Sequence, residues 1–226
     1  EKVINRGFRE AFIELISMIT ISSDQEKIKN TSIDTVKNLI DSFTMSKEKF
    51  VNNEYIVNFD VNFSKKNTLK FFEKKNIFPS LPKKKQVLLI PVFIDLQKNQ
   101  ISLFDNNIFY ESWNLNKERF FLINYILPSE DLEDVNLLLK NKTTIEDYDF
   151  KKTIEKYDLD DFIIIIIFKN NNNLRILSKI QFNDNLKIEN QIFADVKINN
   201  KQSLDKILFQ LKNTYENHWK EINKIN

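Results

Sequence analysis

Cysteine is absent from the 226 residues, and glycine and histidine occur once each, as Gly7 and His218. Without cysteine the chain has no disulfide, no thiolate nucleophile and no zinc–thiolate site. A single histidine reduces any His-centred triad or multi-His metal site to that one residue. His218 lies beside Trp219 in a polar-flanked helical pattern and reads as a surface histidine. Phosphate-cradling loops need glycines at positive φ and at close backbone approach, so the common nucleotide-binding classes are not expected. No apolar run approaches the roughly 20 residues of a membrane helix. An excess of one charge is also missing: 34 basic against 32 acidic residues leave a formal charge of +2, with the signs interspersed. A nucleic-acid binder concentrates positive charge on one face, and nucleic acid is therefore not an expected partner. The densest basic run, Lys83-Lys84-Lys85, follows Pro82 and reads as a solvated linker.

What the chain does hold is 30 Lys, 30 Asn, 31 Ile and 20 Phe. These residues share A/T-rich codons, so genome bias accounts for much of their number, and lysine richness loses value as a binding signal. Hydrophobic residues at 42% supply a real core. The chain opens inside a helical pattern, EKVINRGF, with no initiator Met, as expected of a processed or trimmed N-terminus.

The patterning predicts an α+β (mixed α/β) fold in two parts. Residues 1–78 read as a small α-α-β-α unit. Ile4, Phe8, Phe12, Ile16 and Ile19 form the apolar face of a first helix, with Gly7 inside it at a point of close backbone packing. A second helix starts near Thr31 or Ser32 and buries Ile33, Val36, Leu39, Ile40 and Phe43. Tyr55, Val57, Phe59, Val61 and Phe63 then alternate along one strand, and Ser64 caps a third helix whose Leu69, Phe71 and Phe72 read as core. Residues 79–85, PSLPKKK, read as a linker. Residues 86–226 read as a mixed-sheet domain with flanking helices: a hairpin around Lys98-Asn99, a short helix in NIFYESWNLNK, and a strand in FFLINYIL. Helices in DLEDVNLLLK and DYDFKKTIEKYD come next. In DFIIIIIF five consecutive isoleucines leave no polar face, which predicts a central strand buried on both sides. A turn at Asn170–Asn173, two more strands and a terminal helix from Ser203 to about Asn223 complete the domain.

The densest chemistry-bearing stretch is LPSEDLEDVNLLL, residues 127–139. Its four carboxylates can start a helix, hold a metal or run acid–base chemistry. Ser129 or Asp131 is placed to cap free N–H groups, and acids in the first turn suit the helix dipole. On a helix the carboxylates point around the axis, so an oxygen-ligand site would need partners from elsewhere. Asp131 is therefore expected as a cap supported by Asp134, with Glu130 and Glu133 as passengers. The opposing reading is a carboxylate-dependent or metal-assisted hydrolase using Asp131 and Asp134 with Asp105.

Read in order, LFDNNIFYESW (103–113), LPSEDLEDVNLL (127–138) and KYDLDDFIIIII (156–167) resemble the bacterial family catalogued as domain of unknown function 2066. Ile90-Pro91-Val92-Phe93 is similar to the family's strand ending in a proline–hydrophobic step. Leu103, Asp105, Asn106 and Trp113 match its L-W-(acidic)-N-P-W…W stretch, Pro128, Asp131 and Asp134 its P-x-G-D-x-x-D element, and Tyr157 its R-Y-G. RGFREAFIELI resembles its first helix. Phe104 and Phe109 stand where the family has tryptophans, and Glu130 and Asp158 where it has glycines. The resemblance implies an exported protein of a Gram-negative bacterium, hence a periplasmic location, with a cytoplasmic one as the alternative. No activity is attached to the family, so no catalytic residue carries over.

The expectation is thus a non-catalytic periplasmic or cell-envelope module that acts through other envelope proteins. Asp105, Asn106, Trp113, Asp131 and Asp134 are its binding candidates, with no metal and no cofactor expected and the oligomeric state left open. Binding of an anionic surface or nucleic acid through the lysines is the weakest alternative.

Overall fold

A computed structural model describes residues 2–52, 54–116 and 120–225, without the side chains of residues 54 and 55. The inner-face position expected for Tyr55, the last residue of NIFYESWNLNK and Glu1 at the chain's start lie outside the described residues. The fold is α+β, with a two-stranded and a six-stranded sheet. The chain divides into two compact units: Glu1–Lys83 with Phe120–Leu122 and Glu216–Asn226, and Lys84–Arg119 with Ile123–Tyr215.

The first unit contains α1 (Lys2–Ile19), α2 (Ser22–Ile28), α3 (Ile33–Leu39), β1 (Ile40–Val51), β2 (Glu54–Phe63) and α4 (Lys65–Lys74). Its core gathers Phe8, Phe12, Ile16, Ile28, Val36, Leu39, Phe72 and Ile77. The α-α-β-α expectation is corrected in two places. Residues 22–28 form an additional short helix, and the helix expected to reach Phe43 ends at Leu39, where the chain enters β1. Phe43 instead stacks on Phe59 at 5.6 Å across the hairpin and meets Phe8 edge-on at 4.9 Å. The i, i+3, i+4 spacing through residue 43 is helical by itself. Antiparallel pairing with β2 overrides it, because the hairpin partners the backbone and seats the aromatic against α1. Ser32 caps α3 by accepting from the Thr35 N–H, and Ser64 caps α4 through the Asn67 N–H.

Residues 79–81 are tied into this unit rather than free. The Ser80 N–H donates to the Ile19 carbonyl at 2.7 Å, the Leu81 N–H to the Asn223 carbonyl, and the Ile225 N–H to the Pro79 carbonyl. Those exchanges satisfy backbone groups beside the buried Ser80. They explain why the chain's last residues belong here and not with the domain that precedes them in sequence. The linker reading therefore shrinks to the exposed Pro82, Lys83 and Lys84, since Lys85 is half-buried, begins the next strand and pairs with Asp161.

The second unit is built on β3 (Lys85–Asp95), β4 (Gln100–Ser102), β5 (Ile123–Ile126), β6 (Phe162–Asn170), β7 (Asn173–Phe182) and β8 (Asn185–Phe193). Strands run in the order β4-β3-β6-β7-β8, and β5 pairs the N-terminal part of β3 on the edge whose C-terminal part takes β4. β6 is parallel to β3 and antiparallel to β7, and Ile163–Ile167 are buried throughout, as a two-sided apolar strand requires. One sheet face, carrying Leu88, Ile90, Val92, Ile94, Ile164 and Ile166, packs with Leu138, Ile145 and Phe150. These three come from α6 (Leu132–Lys140), the turn following it and the residue before α7 (Lys151–Glu155). On the other face, Tyr215 of α8 (Lys201–Ile222) bonds Ser178 at 2.7 Å. It stacks with Trp113, which follows α5 (Ile108–Ser112), at 6.3 Å.

Glycine scarcity leaves a backbone signature. Ten described non-glycine residues adopt positive φ, and apart from Lys47 all are Asn or Asp. These side chains tolerate the left-handed region better than others. Asn183 and Asp184, at φ 47 and 63, make the two-residue turn between β7 and β8, a geometry matching the type I′ hairpin.

Candidate acidic cleft of the second unit

Asp131 adopts an extended backbone at the N-terminus of α6, and its Oδ1 accepts the Glu133 N–H at 2.8 Å. Of the two caps open in the sequence, the structure uses this one. Ser129 is held otherwise: its N–H donates to the Tyr157 hydroxyl at 2.7 Å, while the Tyr110 hydroxyl donates to the Pro128 carbonyl at 2.8 Å. Two tyrosines, one from α5 and one from the turn after α7, thus pin the loop that presents the acids. Burial and the Glu130 carboxylate push the Tyr110 hydroxyl up, so it stays a donor.

Asp134 faces inward at 2% exposure. Its Oδ1 accepts from the Thr153 hydroxyl at 2.8 Å and from Lys156 Nζ at 3.0 Å. The same ammonium donates to Asp131 Oδ2 at 2.7 Å, so Lys156 clamps both acids from the end of α7. This hydrogen bond holds the Asp131 carboxyl below the usual range, and it raises Lys156 above its own. Asp134 Oδ2 is buried without a hydrogen-bond partner.

Asp105 and Asn106 follow β4 and are exposed, Asn106 at φ 59. Together with Glu130, Asp131, Leu132 and Val135 they line a cleft of about 440 Å³, with Ile101 and Phe104 as apolar lining. Three of the five sequence candidates, Asp105, Asn106 and Asp131, therefore meet at one surface. Two do not. Trp113 is completely buried between Tyr125, at 5.4 Å, and Tyr215, and is a core residue. Asp134 points away from the cleft into its clamp. Glu130, read as a passenger, lines the cleft, and so does Leu132 at 81% exposure.

Lys156 and Thr153 had no local signal in the sequence, since only the packing of α7 beside α6 brings them to Asp134. Asn107 had one: an Asn before the apolar IFY run is an N-cap pattern. Fully buried, it accepts from the Phe109 and Tyr110 N–H groups and donates to the Pro91, Ser102 and Leu103 carbonyls, so it fixes the loop that carries Asp105. His218 is half-buried rather than exposed. Among the described residues, no three His, Cys, Asp or Glu side chains stand together in a way that could hold a metal ion. No described helix is long and apolar enough to cross a membrane.

No family model matches the chain, and comparison with curated proteins and with solved structures gives no match either, so the resemblance drawn above rests on its quoted residues alone.

Proposed function

We propose that the protein is a non-catalytic accessory module of the bacterial cell envelope that binds another envelope protein through the cleft lined by Asp105, Asn106, Glu130 and Asp131. The observation that carries the binding reading is the convergence of these residues, from two separate segments, on one apolar-lined cleft. Exposed carboxylates beside Leu132 and Phe104 suit a segment presenting a Lys or Arg next to an apolar side chain. The envelope location rests on the family resemblance. Asp158 supports that resemblance: it adopts φ 50 at the place where the family pattern has glycine.

Carboxylate chemistry is the competing reading, and the clamp speaks against Asp131 as its general acid and against Asp134 as a member of its site. A general acid needs a carboxyl that holds its proton near neutrality, whereas Lys156 keeps Asp131 ionised and Asp134 lies outside the cleft.

Two measurements test the proposal. Fractionation of a tagged full-length protein should place it in the periplasm, and an unprocessed cytosolic pool would sink the location. A photo-cross-linker at Leu132 should trap a discrete envelope protein, with the adduct lost in Asp105→Lys. An adduct indifferent to both Asp105→Lys and Asp131→Lys would sink the cleft as the binding surface.

A further inference from the structure

β8 ends its sheet. It pairs with β7 over Asn185–Phe193 without a register shift, and no described strand pairs its outer edge. Its sequence, NLKIENQIF, contains neither proline nor glycine. Natural sheets blunt long regular edges with bulges, prolines, short strands, charged side chains or a cover, because unpaired N–H and C=O groups otherwise recruit another strand. Of these devices β8 carries the charged pair Lys187 and Glu189. Here the side chains are arranged against a solvated edge. Leu186, Ile188 and Ile192 are 58%, 61% and 74% exposed, while Lys187, Glu189 and Gln191 on the opposite face are half-buried.

The charge order of the strand selects its occupant. When β8 meets a second β8 antiparallel, the pairing is two-fold and each residue faces its mirror position about the axis. An axis at Ile188 sets Lys187 against Glu189 of the second copy, and Glu189 against its Lys187, with Ile188 facing Ile188. An axis at Lys187 or Glu189 opposes like charges, which is destabilising. An axis at Asn190 sets Lys187 against Phe193. Within each strand Lys187 and Glu189 already share a face, with Nζ–Oε1 at 2.6 Å, so the four charges of two copies would alternate in sign.

We propose that β8 pairs antiparallel with β8 of a second copy of this chain, about a two-fold axis at Ile188, and extends the sheet across a homodimer. This surface does not depend on the cleft reading.

The absence of cysteine makes the register directly readable, because an introduced cysteine is the only thiol in the chain. Directly opposed Cα atoms of an antiparallel pair lie about 4.5–5.5 Å apart, within the roughly 4.4–6.8 Å that a disulfide spans, so an opposed pair can bridge under mild oxidation. Ile188→Cys should therefore give a covalent dimer, while Leu186→Cys and Asn190→Cys, displaced from the axis, should not. Sedimentation should show a wild-type dimer that Lys187→Glu dissociates and Lys187→Glu/Glu189→Lys restores, with circular dichroism confirming that each variant is folded. A wild-type monomer up to its solubility limit overturns the proposal. So does cross-linking at Asn190 in place of Ile188, or a charge swap that fails to restore the dimer lost in the single variant.

Discussion

Lys156 Nζ stands 3.0 Å from Asp134 Oδ1 and 2.7 Å from Asp131 Oδ2, one exposed-edge cation joining a buried acid and a cap. Asp134 is the costlier member to disturb, because a buried ionised group depends on its partners. Lys156→Met keeps the aliphatic stem, removes the ammonium and leaves Asp134 with Thr153 alone. The expected loss is about 2 kcal/mol, the scale of a hydrogen bond to a charged group. Asp131→Asn should cost little, since Asn also caps. Denaturant midpoints of Lys156→Met, Asp131→Asn and Asp134→Ala check this order. A larger effect at Asp131 than at Asp134 would refute the clamp.

The pH dependence follows from the same contacts. Lys156 holds the folded-state Asp131 carboxyl low. Lys169, assisted by the Lys98 N–H, does the same for Asp95. Stability from a lowered carboxyl is complete above its unfolded value of about 3.9 and is lost as pH falls through the folded one. Lys156 runs the other way: raised in the fold, it contributes fully below its unfolded value of about 10.4 and loses that contribution as pH rises further. The stability gap between wild type and Lys156→Met should therefore be flat at intermediate pH and narrow at both extremes. Urea titrations across pH would read it, and a gap that persists in acid would be inconsistent with the Asp131 contact.

Gly7 is predicted to resist alanine despite its place in a helix. A Cβ there would stand 3.0–3.1 Å from three atoms of the Phe59 ring. Phe59 is stacked on Phe43 and edge-on to Phe8, so its ring can retreat only by disturbing those contacts. Alanine gains about 1 kcal/mol of helix propensity, against an overpacking cost of about 1–3 kcal/mol. Gly7→Ala should thus lower stability by about 1 kcal/mol, and Gly7→Val by more. A rise in melting temperature for Gly7→Ala would show that the ring yields.

Trp113 separates core from binding surface. Buried against Tyr125 and Tyr215, it should cost about 3–5 kcal/mol as Trp113→Ala. Trp113→Phe should cost much less, and it should leave any cleft adduct intact. A Trp113→Ala protein with unchanged melting behaviour would contradict the core placement.

Much of the fold was legible because it is encoded locally. The Phe8, Phe12, Ile16 stripe, the alternation into Phe63 and the isoleucine run of β6 each carry a period that one element alone can express. The cap at Asp131 was legible for the same reason, since cap and N–H lie within three residues. The N-terminal course of β1 was not, because IDSF continues a helical spacing as well as it begins a strand. Only the pairing with β2 decides between them. The place of residues 79–81 with the chain's end was likewise invisible, as those hydrogen bonds join positions far apart in sequence.

The candidate site divides along the same line. By itself the sequence determined the α+β class, the absence of thiols, the acidic helix start, and a supply of Asn and Asp for turns. Tertiary structure alone decided that Asp105, Asn106 and Asp131 share a cleft, that Trp113 is core, and that Lys156 engages Asp131 and Asp134 together. Local sequence specifies which backbone states and faces are favourable over a few residues. Which carboxylate meets which ammonium depends on helices and strands packing across long loops, and that is settled only when the whole sheet and its layers are assembled.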